Sequence, residues 1–193
     1  MEKILKDIKL LLYDVDNTGL CLKMYMNDKG ENDKETGKRI IGIRDDEKWL
    51  EYNIMNNAYK YCEAPKPLVN LANYVISNGG KLMGLTECRN SFEYNSKYNR
   101  MKECYAGSFE HHGDLISIDT RKLKVTIIKT LAKKYNLKYN QIMFIDDSFA
   151  EVMEAGEFDI IGMHTTEALM RFYDMDNPTF DTNGVVGEYK GEE

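Results

Sequence analysis

The chain lacks any stretch approaching the ~18 consecutive apolar residues of a membrane span, and its opening, MEKILKDIKLLLYDVD, has no apolar core of the kind a secretory leader needs. Both absences lead to the expectation of a cytoplasmic protein with no membrane partner. Excess positive charge is missing too, since 26 Lys and Arg stand against 32 Asp and Glu for a net charge of −6. Duplex nucleic acid and anionic bilayers are held by clustered positive charge, so neither is an expected partner. Any phosphate-bearing ligand must then be held by local cations or a metal. Cysteine is scarce: Cys21, Cys62, Cys88 and Cys104 form no CxxC pair, which removes the usual zinc and dithiol patterns and leaves reduced thiols. Internal repeats are absent.

What is present suits one α/β domain. A chain of 193 residues, 42% hydrophobic and 30% charged, is long enough for one buried core with a modest insertion and short for two full domains. Ile8 to Tyr13 reads as a strand. PLVNLANYVISNGG, opened by Pro65 and Pro67, places Leu68, Leu71, Ala72 and Val75 at helical spacing before Gly79 and Gly80 stop it. KLMGLT, the weaker DLISI, QIMFIDDS and DIIGMH read as further strands, and RKLKVTIIKTLAKKYNL and AEVMEAGEF as helices between them. Helix and strand in alternation, with strands apolar on both faces, predict a three-layer Rossmann-like fold around a mostly parallel sheet. Residues 20–63 break the alternation and read as an insertion, a hairpin plus a helix, dividing the core into 1–19 and 64–193. The Gly-bearing end beyond Asn177 reads as a loose tail.

Ligands of parallel α/β sheets bind beyond the carboxyl ends of the strands. Three of the strands end there in polar groups: Asp14 and Asp16 after the first, Thr86 after the second, Asp146 and Asp147 after the fourth, with lysines ahead of the long helix. Paired carboxylates at an apolar strand end are the parts that general acid–base work and hard-cation binding need.

YDVDNT, KLMGLT, RKLKVTII and MFIDDS, taken in that order, resemble the four motifs of the haloacid dehalogenase (HAD) superfamily of phosphotransferases, over residues 8 to 165. The resemblance implies a Mg²⁺-dependent phosphatase, with a small phosphorylated substrate as its partner. Asp14 would be the nucleophile that forms an aspartyl-phosphate, and Asp16 the acid and base whose main-chain carbonyl also reaches the metal. Asp147 would bind the metal directly with Asp146 in support, and Thr86 and a lysine would hold the phosphoryl group. The family's spacing favours Lys122 for that lysine, with Lys124 as the alternative. Two positions depart from the pattern: Asn17 stands where Gly is usual, and Gly19 stands where an apolar residue is usual, which predicts a flexible turn into the insertion.

The same resemblance makes residues 20–63 a small cap. Its Trp49, Tyr52, Tyr59 and Tyr61 would stack a substrate or, more simply, pack the cap onto the core. His111 and His112 read as loop residues, and Cys88, close after Thr86, as a bystander. The other functions compatible with these residues are a phosphotransferase or mutase using the same groups, and a catalytically silent relative that binds phosphate or Mg²⁺. A receiver-like module is disfavoured because the acid pair follows the first strand.

Overall fold

A computed structural model describes residues 2–22, 57–120 and 123–173. The expected hairpin and helix of the insertion lie outside the described residues between 23 and 56, as do Trp49, Tyr52, Lys122 and the tail.

A short helix α1 (Glu2–Asp7) leads into β1 (Leu10–Asp14), all five residues of which are buried. The chain passes through β2 (Cys21–Leu22) before residues 23–56, and after them a 3-10 turn (Ala58–Tyr61) leads into β3 (Cys62–Glu63), which pairs antiparallel with β2. The described residues on either side of 23–56 are thus tied together. Then follow α2 (Lys66–Ser77), β4 (Lys81–Glu87), α3 (Ser91–Cys104), β5 (Leu115–Ile118), α4 (Lys124–Tyr135), β6 (Ile142–Asp146), α5 (Phe149–Gly156), β7 (Ile161–His164) and α6 (Thr165–Arg171).

Five strands form one parallel sheet in the order β5-β4-β1-β6-β7. The chain fills one side of β1 with β4 and β5 and then crosses back to fill the other with β6 and β7. The order therefore reverses at β1, the place where such sheets open a crevice.

Side chains alternate across a strand, and here each face has its own helices. Leu10 and Leu12 of β1 pack with Val125, Ile128 and Leu131 of α4 and Ala155 of α5. Leu11 and Tyr13 pack with Leu68, Leu71 and Val75 of α2, Met101 of α3 and Ala168 of α6. The result is helices on both faces of a central parallel sheet, the architecture expected. Tyr13 is fully buried and donates its hydroxyl to the Leu68 carbonyl at 2.7 Å, so the one polar atom on that strand face is satisfied. α2 stops where Gly79 takes φ 77°, a left-handed value that a side chain resists. Leu12, 0% exposed at the centre of the sheet, tests this packing: Leu12→Ala is expected to cost about 2–5 kcal/mol in urea unfolding. A loss below about 1 kcal/mol would contradict a close-packed layer there.

Three described helices, α1, α3 and α6, were not foreseen from the sequence, and α3 is unusual in turning charged residues inward. It starts locally as helices do: Asn90 Oδ1 accepts from Glu93 N at 2.9 Å, and Glu93 Oε2 reaches back to Arg89 N at 2.8 Å. Its buried face, however, carries Glu93, Ser96 and Lys97 beside Tyr98 and Met101.

Candidate active site

Strand parity distributes the polar groups at the carboxyl edge. Asp14 continues the Leu10 and Leu12 side of β1, and Asp146 continues the Ile142 and Phe144 side of β6, so both acids fall on the α4 face. Lys124, the first residue of α4, stands one turn before Ile128 and two before Leu131, on the same stripe. Its Nζ lies 2.7 Å from Asp14 Oδ1 and 2.6 Å from Asp146 Oδ2, in a pairing that is almost completely buried. The lysine in contact with the acids is therefore Lys124, the alternative in the sequence reading. Lys122, preferred there from spacing, lies outside the described residues.

Each acid has a distinct setting. Asp146 is fully buried, and its second oxygen accepts from Ser148 N at 2.8 Å, so it both supports the lysine and caps the start of α5. Asp147 is exposed, 3.3 Å from Asn17 Nδ2, and its loop is pinned by His164. His164 Nδ1 accepts from Thr166 N, so its Nε2 is left as the donor to the Asp147 carbonyl at 3.0 Å. One carboxylate oxygen from each of Asp14, Asp146 and Asp147 falls within 4.8 Å of the others. Three hard oxygen donors so close together are a donor set suited to a hard divalent cation. Burial, with the nearby Asp146 and Asp16 charges, pushes the Asp14 carboxyl up to about 7 despite the pull of Lys124. Burial opposes the Lys124 ammonium in turn, but its two acid partners outweigh it and hold its pKa up.

The turn after β1 is built tightly. Asn17 takes φ 58°, a left-handed conformation open to Gly and tolerated by Asn, which accounts for Asn where Gly is usual. Gly19 departs from the flexible turn expected of it. Its N–H donates to the Asp14 carbonyl, the Tyr105 hydroxyl donates to its carbonyl, each at 2.9 Å, and a Cβ there would come within 3.2 Å of the Asp14 carbonyl oxygen. The glycine allows close approach to the Asp14 backbone. Thr18 is buried and shares a 2.7 Å hydrogen bond with Thr165.

On the opposite face sits a second group. Thr86 continues the Leu82 side of β4, toward α3, and is 0% exposed, so its hydroxyl faces Asp16 and Lys97 rather than open solvent. Lys97, a residue the sequence reading missed, is 1% exposed and lies 2.7 Å from Asp16 Oδ2, 2.9 Å from Glu93 Oε1, 2.7 Å from the Glu87 carbonyl and 3.0 Å from Thr86 Oγ1. The signal for it was the Glu93–Lys97 pair at i,i+4 in line with Met101, a stripe on which charge occupies buried positions. Tyr59, at the returning end of the insertion, donates to Asp16 Oδ1 at 2.9 Å and lies 3.2 Å from Glu93 Oε1, with Lys97 Nζ 5.3 Å from its ring centre. Burial first, then the Asp16 and Glu93 charges, push the Tyr59 phenol far up and keep it a neutral donor. Tyr61, by contrast, is exposed.

The remaining candidates fall outside this constellation. His112 stacks on Tyr98 at 3.9 Å, and His111 caps the 3-10 turn His112–Asp114. All four cysteines are free thiols; burial pushes Cys62 up to about 12 and raises Cys21 and Cys88, so none of these three is a ready nucleophile. A cavity of about 460 Å³ lined by Asp7, Lys138, Asn140, Gln141 and Ile161 opens at the amino edge of the sheet, away from the acids.

The described geometry defines a class of site: two carboxylates leaving the central strand of a parallel sheet, each paired with a buried lysine from a different face, with Asp14, Asp146 and Asp147 forming a cradle of three carboxylate oxygens. The sequence matches no protein-family model and no curated protein. Among the described residues, no helix is long and apolar enough to cross a membrane.

Proposed function

We propose that the protein is a Mg²⁺-dependent phosphatase of the haloacid dehalogenase type, acting on a small phosphomonoester through an aspartyl-phosphate on Asp14. The observation that carries this reading is Asp14 at the end of the switch-point strand, buried against Lys124 and grouped with Asp146 and Asp147. Lys124 occupies Oδ1 and leaves Oδ2 as the attacking oxygen.

In the first step Asp14 Oδ2 forms a bond to phosphorus, the bond from phosphorus to the ester oxygen breaks, and the Asp16 carboxyl gives that oxygen its proton. In the second a water attacks the same phosphorus, Asp16 takes the water's proton, and the bond to Asp14 breaks to release phosphate. Asp14, Asp147 and the Asp16 carbonyl, with Asp146 in support, would hold a cation, which would supply the positive charge that lets a phosphate approach a carboxylate. Lys124 orients Asp14 and offsets part of the acidic charge. Thr86, expected from the resemblance to contact the phosphoryl group, is fully buried with its hydroxyl 3.0 Å from Lys97 Nζ. Residues 20–63 serve as a cap in this reading, and Tyr59 joins their returning end to Asp16.

Purified protein given a broad panel of phosphomonoesters and Mg²⁺ is expected to release inorganic phosphate from at least one, and to stop when EDTA removes the metal. Absence of phosphate release across the panel, or release indifferent to EDTA, would overturn the proposal.

A further inference from the structure

Lys97 and Glu93 have no part in the chemistry assigned so far, yet they are among the most deeply buried charges described, at 1% and 5% exposed. Stability does not explain them, because a buried ion pair contributes about as much as, or less than, apolar residues of the same volume. What they organise is specific. Three ammonium protons face four acceptors, and the Asp16 carboxylate is one of the two at 2.7 Å. Tyr59 holds the other oxygen of the same carboxylate. Each oxygen has a second lone-pair direction, and the Asp16 side chain is 41% exposed, so the acid is held without being closed off. Thr86 adds little of its own: its hydroxyl is 3.4 Å from Asp16, long for a bond between oxygens.

We propose that Lys97, braced by Glu93 and assisted by Tyr59, is a positioning residue that fixes Asp16 for proton transfer to the leaving oxygen. This inference rests on the phosphatase reading above. A group that acts through a proton donor matters most when the leaving group needs the proton. Ethyl phosphate expels a strongly basic alkoxide and needs it; 4-nitrophenyl phosphate expels a stabilised phenolate and needs it little. The ratio kcat/KM isolates the steps up to phosphorylation of Asp14 from the later hydrolysis.

The test is the double variant Lys97→Met with Glu93→Gln, which removes one charge of each sign and keeps the volumes. Its kcat/KM is expected to fall by about 10²-fold for ethyl phosphate and by less than about tenfold for 4-nitrophenyl phosphate. In an Asp16→Asn background the same double change should cost less than about twofold on ethyl phosphate, because the group it positions is already gone. Tyr59→Phe, which deletes one hydroxyl and no charge, should show the same selectivity on a smaller scale and serves if the double variant fails to fold. Equal losses on the two substrates, or an undiminished further loss in the Asp16→Asn background, would assign Lys97 a purely structural role and leave the phosphatase reading standing. A wild-type protein inactive on the whole phosphomonoester panel would end both.

Discussion

Asp14→Asn is expected to lower phosphate release by on the order of 10⁴-fold or more while leaving the protein as stable as the wild type or more so. The catalytic loss follows from removing the attacking oxygen: an amide has the shape of the carboxylate but not its nucleophilicity, and nothing else in the site takes its place. The retained stability follows from the electrostatics. Asp14 is one of two buried carboxylates that share Lys124, and burial has already pushed it up to about 7. A neutral amide escapes that desolvation cost, and Asp146 keeps the lysine paired. The pH dependence has a definite sign. Between the ordinary value of 3.8 and about 7 the folded chain holds a proton on Asp14 that the unfolded chain has lost. The stability contributed by that proton is complete below 3.8 and is lost as pH rises through about 7. In metal-free buffer the Tm of Asp14→Asn should therefore gain on wild type from pH 4 to pH 7 and hold a steady difference above. A variant that is inactive and also unfolded, or a Tm difference that does not change with pH, would contradict this account of Asp14.

Functional sites commonly cost stability, and this one does so where the sequence is easiest to read. β1 and β6 are legible because unbroken apolar runs, buried on both faces, end abruptly in acids. Lys124 is found from the stripe of Ile128 and Leu131, which it shares, rather than from a count back from the acid pair. Alternation also carries information that motif order does not. It sends Asp14 and Asp146 to the α4 face and Thr86 to the α3 face, and so divides the site into one half around Lys124 and another around Lys97.

α3 stayed hidden for a physical reason. Hydrophobic periodicity locates helices by assuming that apolar residues face inward, whereas here Phe92 is 44% exposed and Lys97 is 1% exposed. Inward-facing charge erases the amphipathic signal in the helix that supplies Lys97. What remains readable is its start, Asn90 with Glu93 three residues on, the signature of a cap that a search for strands and apolar stripes passes over. The charged residues that α3 turns inward erase the pattern, and one of them, Lys97, meets Asp16.

Lys124→Met carries the largest expected effect on stability. Removing the lysine leaves Asp14 and Asp146, both buried, facing each other with no positive charge between them, and breaking a buried pair in this way costs about 3–5 kcal/mol. For a chain of this size that corresponds to a fall in Tm on the order of ten degrees in metal-free buffer at pH 8. A divalent cation then becomes the one positive charge available to the acids. Mg²⁺ at about 100 times its Kd stabilises a folded protein by about 2.7 kcal/mol, and its effect on Tm should be larger in Lys124→Met than in wild type, because the same charge relieves a greater repulsion. It should be larger at pH 8 than at pH 5 in both, since at the lower pH a proton on Asp14 competes with the cation. Asp147→Asn, which removes the exposed member of the cradle, should shrink the Mg²⁺ shift and leave the metal-free Tm near that of wild type, because among the described residues Asp147 has no buried charge partner to abandon. Thermal melts of the three proteins with and without Mg²⁺ check each step. An equal Mg²⁺ shift in all three would place the cation away from these acids, and an unchanged melting point for Lys124→Met would mean that its two ion pairs do not hold the site together.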